Sequence, residues 1–155
     1  MNVRAQRCKC LDRLADQVHA ANDVTPAILS SVAAVCERTV APAYKARSAR
    51  LQRLFEDGAT TEAALAMIEL ELPRWKLRRL VYDGGEWHCA LSRQRELPEW
   101  LDQAVEASHS NLALAILSAF LDALRRTADE TRISRPSVPQ ISCDTYAPLL
   151  CENFV

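Results

Sequence analysis

Asp83 is followed by two adjacent glycines, Gly84 and Gly85, in a chain of 155 residues that holds only three glycines. Glycines set between runs of β-branched and aromatic residues signal a β-hairpin. The passage Arg74–Arg93, WKLRRLVYDGGEWHCALSR in its core, is predicted as that hairpin. It constrains everything else. An isolated two-stranded hairpin is marginal in water, so it must lie on helices or pair edge to edge with a second copy.

Side-chain alternation selects the register. A three-residue loop sets Trp75, Leu77 and Val81 beside Trp87, Cys89 and Leu91. A two-residue loop sets Leu80 and Tyr82 beside Trp87 and Cys89, with Lys76 and Arg78 on the same face. The first face is much more apolar, and a one-residue slip exchanges the faces, so burial favours it. A type I turn followed by a left-handed residue also needs glycine at the third loop position, where Gly85 stands. The three-residue loop is therefore predicted. It leaves Lys76, Arg78, Leu80, Tyr82, Glu86, His88 and Ser92 on the opposite face. Arg79 then falls on the apolar side. Its guanidinium snorkels to the edge or pairs with a helix carboxylate; the sharper alternative is a buried cation awaiting an anionic ligand.

The rest of the chain reads as helix. Hydrophobic residues make up 49%, enough for a core, and glycine is scarce. The formal net charge of −1 argues against a polycation of the nucleic-acid-binding type. The charge is uneven, with nine Lys/Arg against six Asp/Glu over residues 1–58 (+3) and four against eight over 98–155 (−4). Such asymmetry suits head-to-tail complementarity as well as an outside partner. The N-terminus lacks an apolar signal core, and the longest apolar run, Leu112–Leu117, is too short to span a bilayer. Cys8, Cys10, Cys36, Cys89, Cys143 and Cys151 are accordingly expected as reduced thiols in a cytosol.

In chain order, residues 1–9 are expected to fray, and a first helix runs from about Cys10 to Ala21. Thr25-Pro26 starts a second, burying Ile28, Leu29, Val32, Val35, Cys36 and Val40, until Pro42 kinks or breaks it. Ala43–Asp57 is amphipathic and closed by Gly58, with Tyr44, Ser48, Leu51 and Phe55 on one face and Arg47, Arg50 and Arg53 on the other. Thr60 or Thr61 caps a fourth helix, apolar almost all round, which Pro73 stops. After the hairpin, Leu97-Pro98 opens a short helix through about Ala107, with Trp100, Leu101, Ala104 and Val105 inward. Ser108 or Ser110 caps the last helix, Asn111–Asp129, the most buried element. Beyond Thr131, Pro136, Pro139 and Pro148 punctuate a tail too rich in large apolar groups to be a solvating one.

Chemistry is sparse. Cys8-x-Cys10 with His19 fits no structural zinc spacing. Cys36 and Cys89 fall on apolar faces, where thiols are usually inert packing. There is no Gly-x-Ser-x-Gly and no glycine-rich phosphate loop. No catalytic residue, metal ligand or cofactor is assigned. Two surfaces are basic enough for nucleic acid: the Arg47/Arg50/Arg53 stripe, and the polar hairpin face of Lys76, Arg78, Tyr82 and His88, supported by Arg93 and Arg95.

Between Ala63 and Leu124, WKLRRLVYDGGEWHCALSR followed by LPEWLD and LALAILSAFLDAL resembles small uncharacterised proteins of rhizobial and related α-proteobacteria. The resemblance covers less than half of the chain. It implies a bacterial, cytoplasmic setting and brings no activity, cofactor or catalytic residue.

The expected fold is α+β, mainly α: a helical bundle with one β-hairpin at 74–93 in a single domain over 1–130, and an extended C-terminal arm over 131–155. The expected function is a non-enzymatic cytoplasmic interaction module that self-associates as a homodimer, with Lys76, Arg78, Tyr82 and His88 as partner-binding residues and no membrane contact. The alternatives are a nucleic-acid-binding regulator using Arg47, Arg50 and Arg53 or the hairpin face, and a small enzyme of unassigned reaction.

Overall fold

A computed structural model describes residues 3–36 and 42–133, with side chains for 6–36 and 46–130. The elements follow in the order α1 (Val3–Ala20), α2 (Pro26–Cys36), α3 (Pro42–Glu56), α4 (Thr60–Glu71), β1 (Lys76–Asp83), β2 (Glu86–Ser92), β3 (Val105–His109) and α5 (Leu112–Ile133). The architecture is mainly α with one antiparallel sheet, β1-β2-β3. The expectations for Val40, for the side chain of Tyr44, for Cys143 and Cys151, and for the tail beyond residue 133 lie outside the described residues.

Helix α5 organises the core. Leu114, Ala115, Ile116, Leu117, Ala119, Phe120, Leu121 and Ala123 are all fully buried. It packs against α1, α4, β2 and β3, so one helix serves as the floor for both the bundle and the sheet. Each fully buried Leu, Ile or Phe contributes about 1.5–3 kcal/mol relative to exposure. The helix opens on Asn111, whose Oδ1 accepts from the backbone N–H groups of Ala113 (3.0 Å) and Leu114 (3.3 Å). The cap is thus Asn111, and neither Ser108 nor Ser110. Asparagine is as good at satisfying the orphan donors of a first turn as serine.

The other helices follow their sequence signals with local exceptions. α1 begins at Val3, so residues 3–9 are helical and not frayed; Arg, Ala, Gln and Lys in this stretch are good helix formers, with no Gly or Pro to stop them. Leu11, Leu14 and Val18 form its buried stripe. Thr25 caps α2, its hydroxyl accepting from the Ile28 N–H at 3.3 Å. Gly58 takes φ +70° after α3. The Ala59 N–H reaches the Leu54 carbonyl at 2.9 Å and the Gly58 N–H reaches Phe55 at 3.2 Å, the paired bonds of a Schellman ending. At α4 neither Thr60 nor Thr61 caps; Ala59 holds the N-cap position with no side-chain bond, and Thr60 is already in the first turn.

The hairpin register departs from expectation. Asp83 pairs with Glu86, Tyr82 with Trp87, Val81 with His88 and Leu80 with Cys89. The loop is therefore Gly84-Gly85 alone, both with positive φ (59° and 89°), as a type I′ turn requires. The reason is an irregularity between Leu77 and Arg79, where Arg78 is the extra residue of a β-bulge and Leu77 returns opposite Leu91. The bulge lets Leu77 and Leu80 share the core face despite their odd spacing. That face collects Leu77, Leu80, Trp87, Cys89, Leu91, Val105 and Ala107. Arg79 moves to the other face.

The expected helix from Leu97 to Ala107 does not form. Residues 95–101 make turns, and β3 pairs with β2 from Trp87–His109 to Leu91–Val105. Trp100 and Leu101, expected inward, are 81% and 48% exposed. Residues 105–109 alternate apolar and polar in VEASH, a strand period, and pairing with β2 satisfies more backbone groups than a single helical turn would.

Candidate functional site

The four hairpin residues predicted on one face are dispersed. Lys76 is exposed at the base of β1. Arg78 sits in the bulge and turns into the protein. Its Nη1 meets Asp102 at 2.5 Å, and its Nη2 donates to the Leu97 carbonyl at 3.1 Å. The Asp102 side chain is only 3% exposed and also accepts from the Ser92 hydroxyl at 2.8 Å; that hydroxyl in turn accepts from the Gln94 N–H. Arg78 is therefore a structural tie between the hairpin and the 93–104 segment. Tyr82, 58% exposed, lies on the Trp87 side, its ring centroid 5.1 Å from that of Trp87. His88 lies on the opposite face.

That opposite face carries no helix among the described residues. Around Ala90 it holds a concavity of about 210 Å³ lined by Arg79, His88, Glu106 and Ser108. Arg79 is paired with strand and loop carboxylates, Glu106 at 2.9 Å and Glu99 at 3.5 Å. It is neither a snorkelling core residue nor a buried cation, because the two-residue turn put it on the solvated face. An ion pair this exposed contributes on the order of 0.2–1 kcal/mol.

The base of the hairpin is tied to α5. The Trp75 indole is 2% exposed and donates to the Thr127 hydroxyl at 3.2 Å. Arg93 stacks over that indole at 4.9 Å and closes a two-pronged pair with Glu130. The hydrogen bond from Arg93 holds the Glu130 carboxyl below its ordinary range, partly opposed by desolvation. Arg126 donates to the Gln103 carbonyl at 2.8 Å.

The basic stripe is present as expected. Arg47, Arg50 and Arg53 are all exposed along α3. Arg47 and Arg50 line a groove of about 450 Å³ together with Lys76, Glu69, Ala66, Leu70 and Pro73. The fold thus brings the helix stripe and one end of the hairpin, separate surfaces in the sequence, to a single groove. Sequence reasoning missed Lys76 as a neighbour of Arg47 and Arg50. Pro73, ending α4 just before β1, was the available signal.

The cysteines divide by environment. Burial pushes the thiols of Cys36 and Cys89 up to about 12, with Glu71 adding to the effect at Cys36 and Arg7 opposing it. Thiols held that far above neutrality carry almost no thiolate and make poor nucleophiles. Cys10 is exposed and Cys8 half-buried. Among the described residues no three His, Cys, Asp or Glu side chains converge to hold a metal ion. His19 and His109 meet edge to face at 6.5 Å, and His109 Nδ1 accepts from the Asn111 N–H, which makes it a brace for the start of α5. No described helix is long and apolar enough to cross a membrane. No protein-family model matches this chain, and neither a curated protein nor a solved structure is found similar to it.

Proposed function

We propose that this protein is a non-enzymatic interaction module of the bacterial cytoplasm that self-associates as a homodimer through the edge of β1. The observation that supports this reading is that, among the described residues, β1 is an outer strand whose distal half carries Val81 and Tyr82, 44% and 58% exposed. An outer strand offers a row of unpaired backbone donors and acceptors to another chain. The base of β1 is guarded by Lys76 and by the Arg78 bulge, both common protections of an edge. Among the described residues the distal half, Leu80–Asp83, has neither a bulge nor a basic side chain, and its one charge, Asp83, stands at the turn. Antiparallel pairing of two copies about Val81 would extend the sheet to six strands and cover both exposed side chains. The buried thiols of Cys36 and Cys89 fit a reducing setting.

Native mass spectrometry and light scattering of the purified protein test this. A dimer at micromolar concentration is expected, and Val81→Lys with Tyr82→Lys should yield a folded monomer. A wild-type protein that is monomeric throughout the micromolar range would end this reading.

A further inference from the structure

We infer that the groove between α3, α4 and the base of β1 binds the phosphodiester backbone of nucleic acid. The inference is independent of self-association. Three cations converge there from distant parts of the chain: Arg47 and Arg50 from α3, and Lys76 from the first position of β1. All three are exposed, and none forms an ion pair with a described residue. Four other arginines behave differently. Arg78, Arg79, Arg93 and Arg125 each have a carboxylate partner. Among the described residues, the groove cations have no ion-pair partner.

Arg47 and Arg50 are three positions apart on a helix, about 4.5 Å along its axis, and Arg53 continues the line one step further. A row of guanidiniums at such intervals suits a ligand whose negative charge also runs in a line, and each guanidinium can grip a phosphate through two parallel bonds. The floor is aliphatic, formed by Ala66, Leu70 and Pro73. Among the described residues the polar contacts that the lining offers a phosphodiester chain are guanidinium and ammonium groups, which grip phosphate rather than base edges, so recognition is of the backbone. Glu69 is the one acidic group among the described lining residues. Its carboxylate repels phosphate and limits affinity, which gives the site an internal check.

The test uses the full chain and fluorescence anisotropy with a labelled single strand of about twenty nucleotides and a duplex of the same length. For three phosphate contacts, raising salt from about 50 to about 200 mM should weaken single-strand binding roughly twenty-fold and duplex binding roughly forty-fold. The variant Arg47→Glu/Arg50→Glu/Lys76→Glu should lose binding at the lower salt. The variant Lys9→Glu/Arg13→Glu/Arg126→Glu makes the same change in net charge at exposed positions outside the groove and should retain it. Glu69→Gln should tighten binding. Thermal melts by circular dichroism establish that each variant is folded. Absence of binding at the lower salt would overturn the inference, as would equal losses in the two triple variants. Equal affinity for a polyglutamate of matching charge would overturn nucleic acid as the ligand.

Discussion

The two ends of the hairpin are built on opposite terms. At the base, Trp75, Arg78, Ser92 and Arg93 are each held by a partner outside the hairpin: Thr127, Asp102 and Glu130. At the tip, Val81 and Tyr82 face solvent and the chain reverses through two glycines. Adjacent arginines make the contrast sharpest. Arg78 has a nearly buried carboxylate and a carbonyl as partners, whereas Arg79 reaches only exposed carboxylates. The lesson is that one hairpin can be structural at one end and available at the other. The bulge between Leu77 and Arg79 marks the boundary.

Removing each arginine's partner tests that boundary directly. Asp102→Ala leaves Arg78 and Ser92 without their shared acceptor and should cost about 3–5 kcal/mol, as for one half of a buried pair. Glu106→Ala, at the partner of Arg79, should cost about 1 kcal/mol or less. Urea denaturation of both variants measures the gap, and equal losses would erase the distinction between base and tip. A smaller effect is expected at the turn. A Cβ at Gly84 meets nothing within 4 Å, so Gly84→Ala should cost only the backbone penalty of a positive φ, about 1 kcal/mol. A much larger loss by the same measurement would mean that the tip is packed rather than free.

The smallest effect is pH-dependent. The folded-state pKa of Glu130 lies below its unfolded value, chiefly through the hydrogen bond from Arg93. Its contribution is therefore present above the ordinary carboxylate range and is lost as pH falls through the folded value. The melting-temperature gap between wild type and Glu130→Gln should be open near about pH 7 and narrow as the pH falls below the ordinary carboxylate range. A gap that widens on acidification would contradict the pairing.

Much of the fold was legible because its signals are local. Thr25-Pro26, Gly58 and the apolar stretch from Leu112 to Leu124 each declare a helix boundary or a buried helix without reference to the rest of the chain. The hairpin itself was legible from Gly84-Gly85. Its register was not, because alternation was carried unbroken along β1 and a bulge interrupts it. The strand β3 was hidden by competing patterns. Trp100, Leu101, Ala104 and Val105 fit a helical stripe, while VEASH fits a strand, and only the neighbouring edge of β2 decides between them. The basic stripe on α3 was readable from helical spacing. The groove was not, since Lys76 joins Arg47 and Arg50 only through the packing of α3 on α4.

The sheet is a meander in which spatial order repeats chain order, and α5 follows its last strand almost at once. Residues 75–133 therefore close shorter loops to reach their neighbours, 52 residues between Trp75 and Thr127 and 37 between Arg93 and Glu130, whereas the α1 end must return to the start of α5 over a longer span, with Asp23 and Asn111 meeting across 88 residues. Closing a longer loop costs more entropy before any contact rewards it, so near-neighbour contacts form sooner. The expected order of assembly is hairpin, third strand and α5, with α1 docking afterwards onto a surface already made. Such a chain matures from its C-terminal half inward, and in native-state hydrogen exchange the amides of α1 should open at lower free energy than those of β2 and α5.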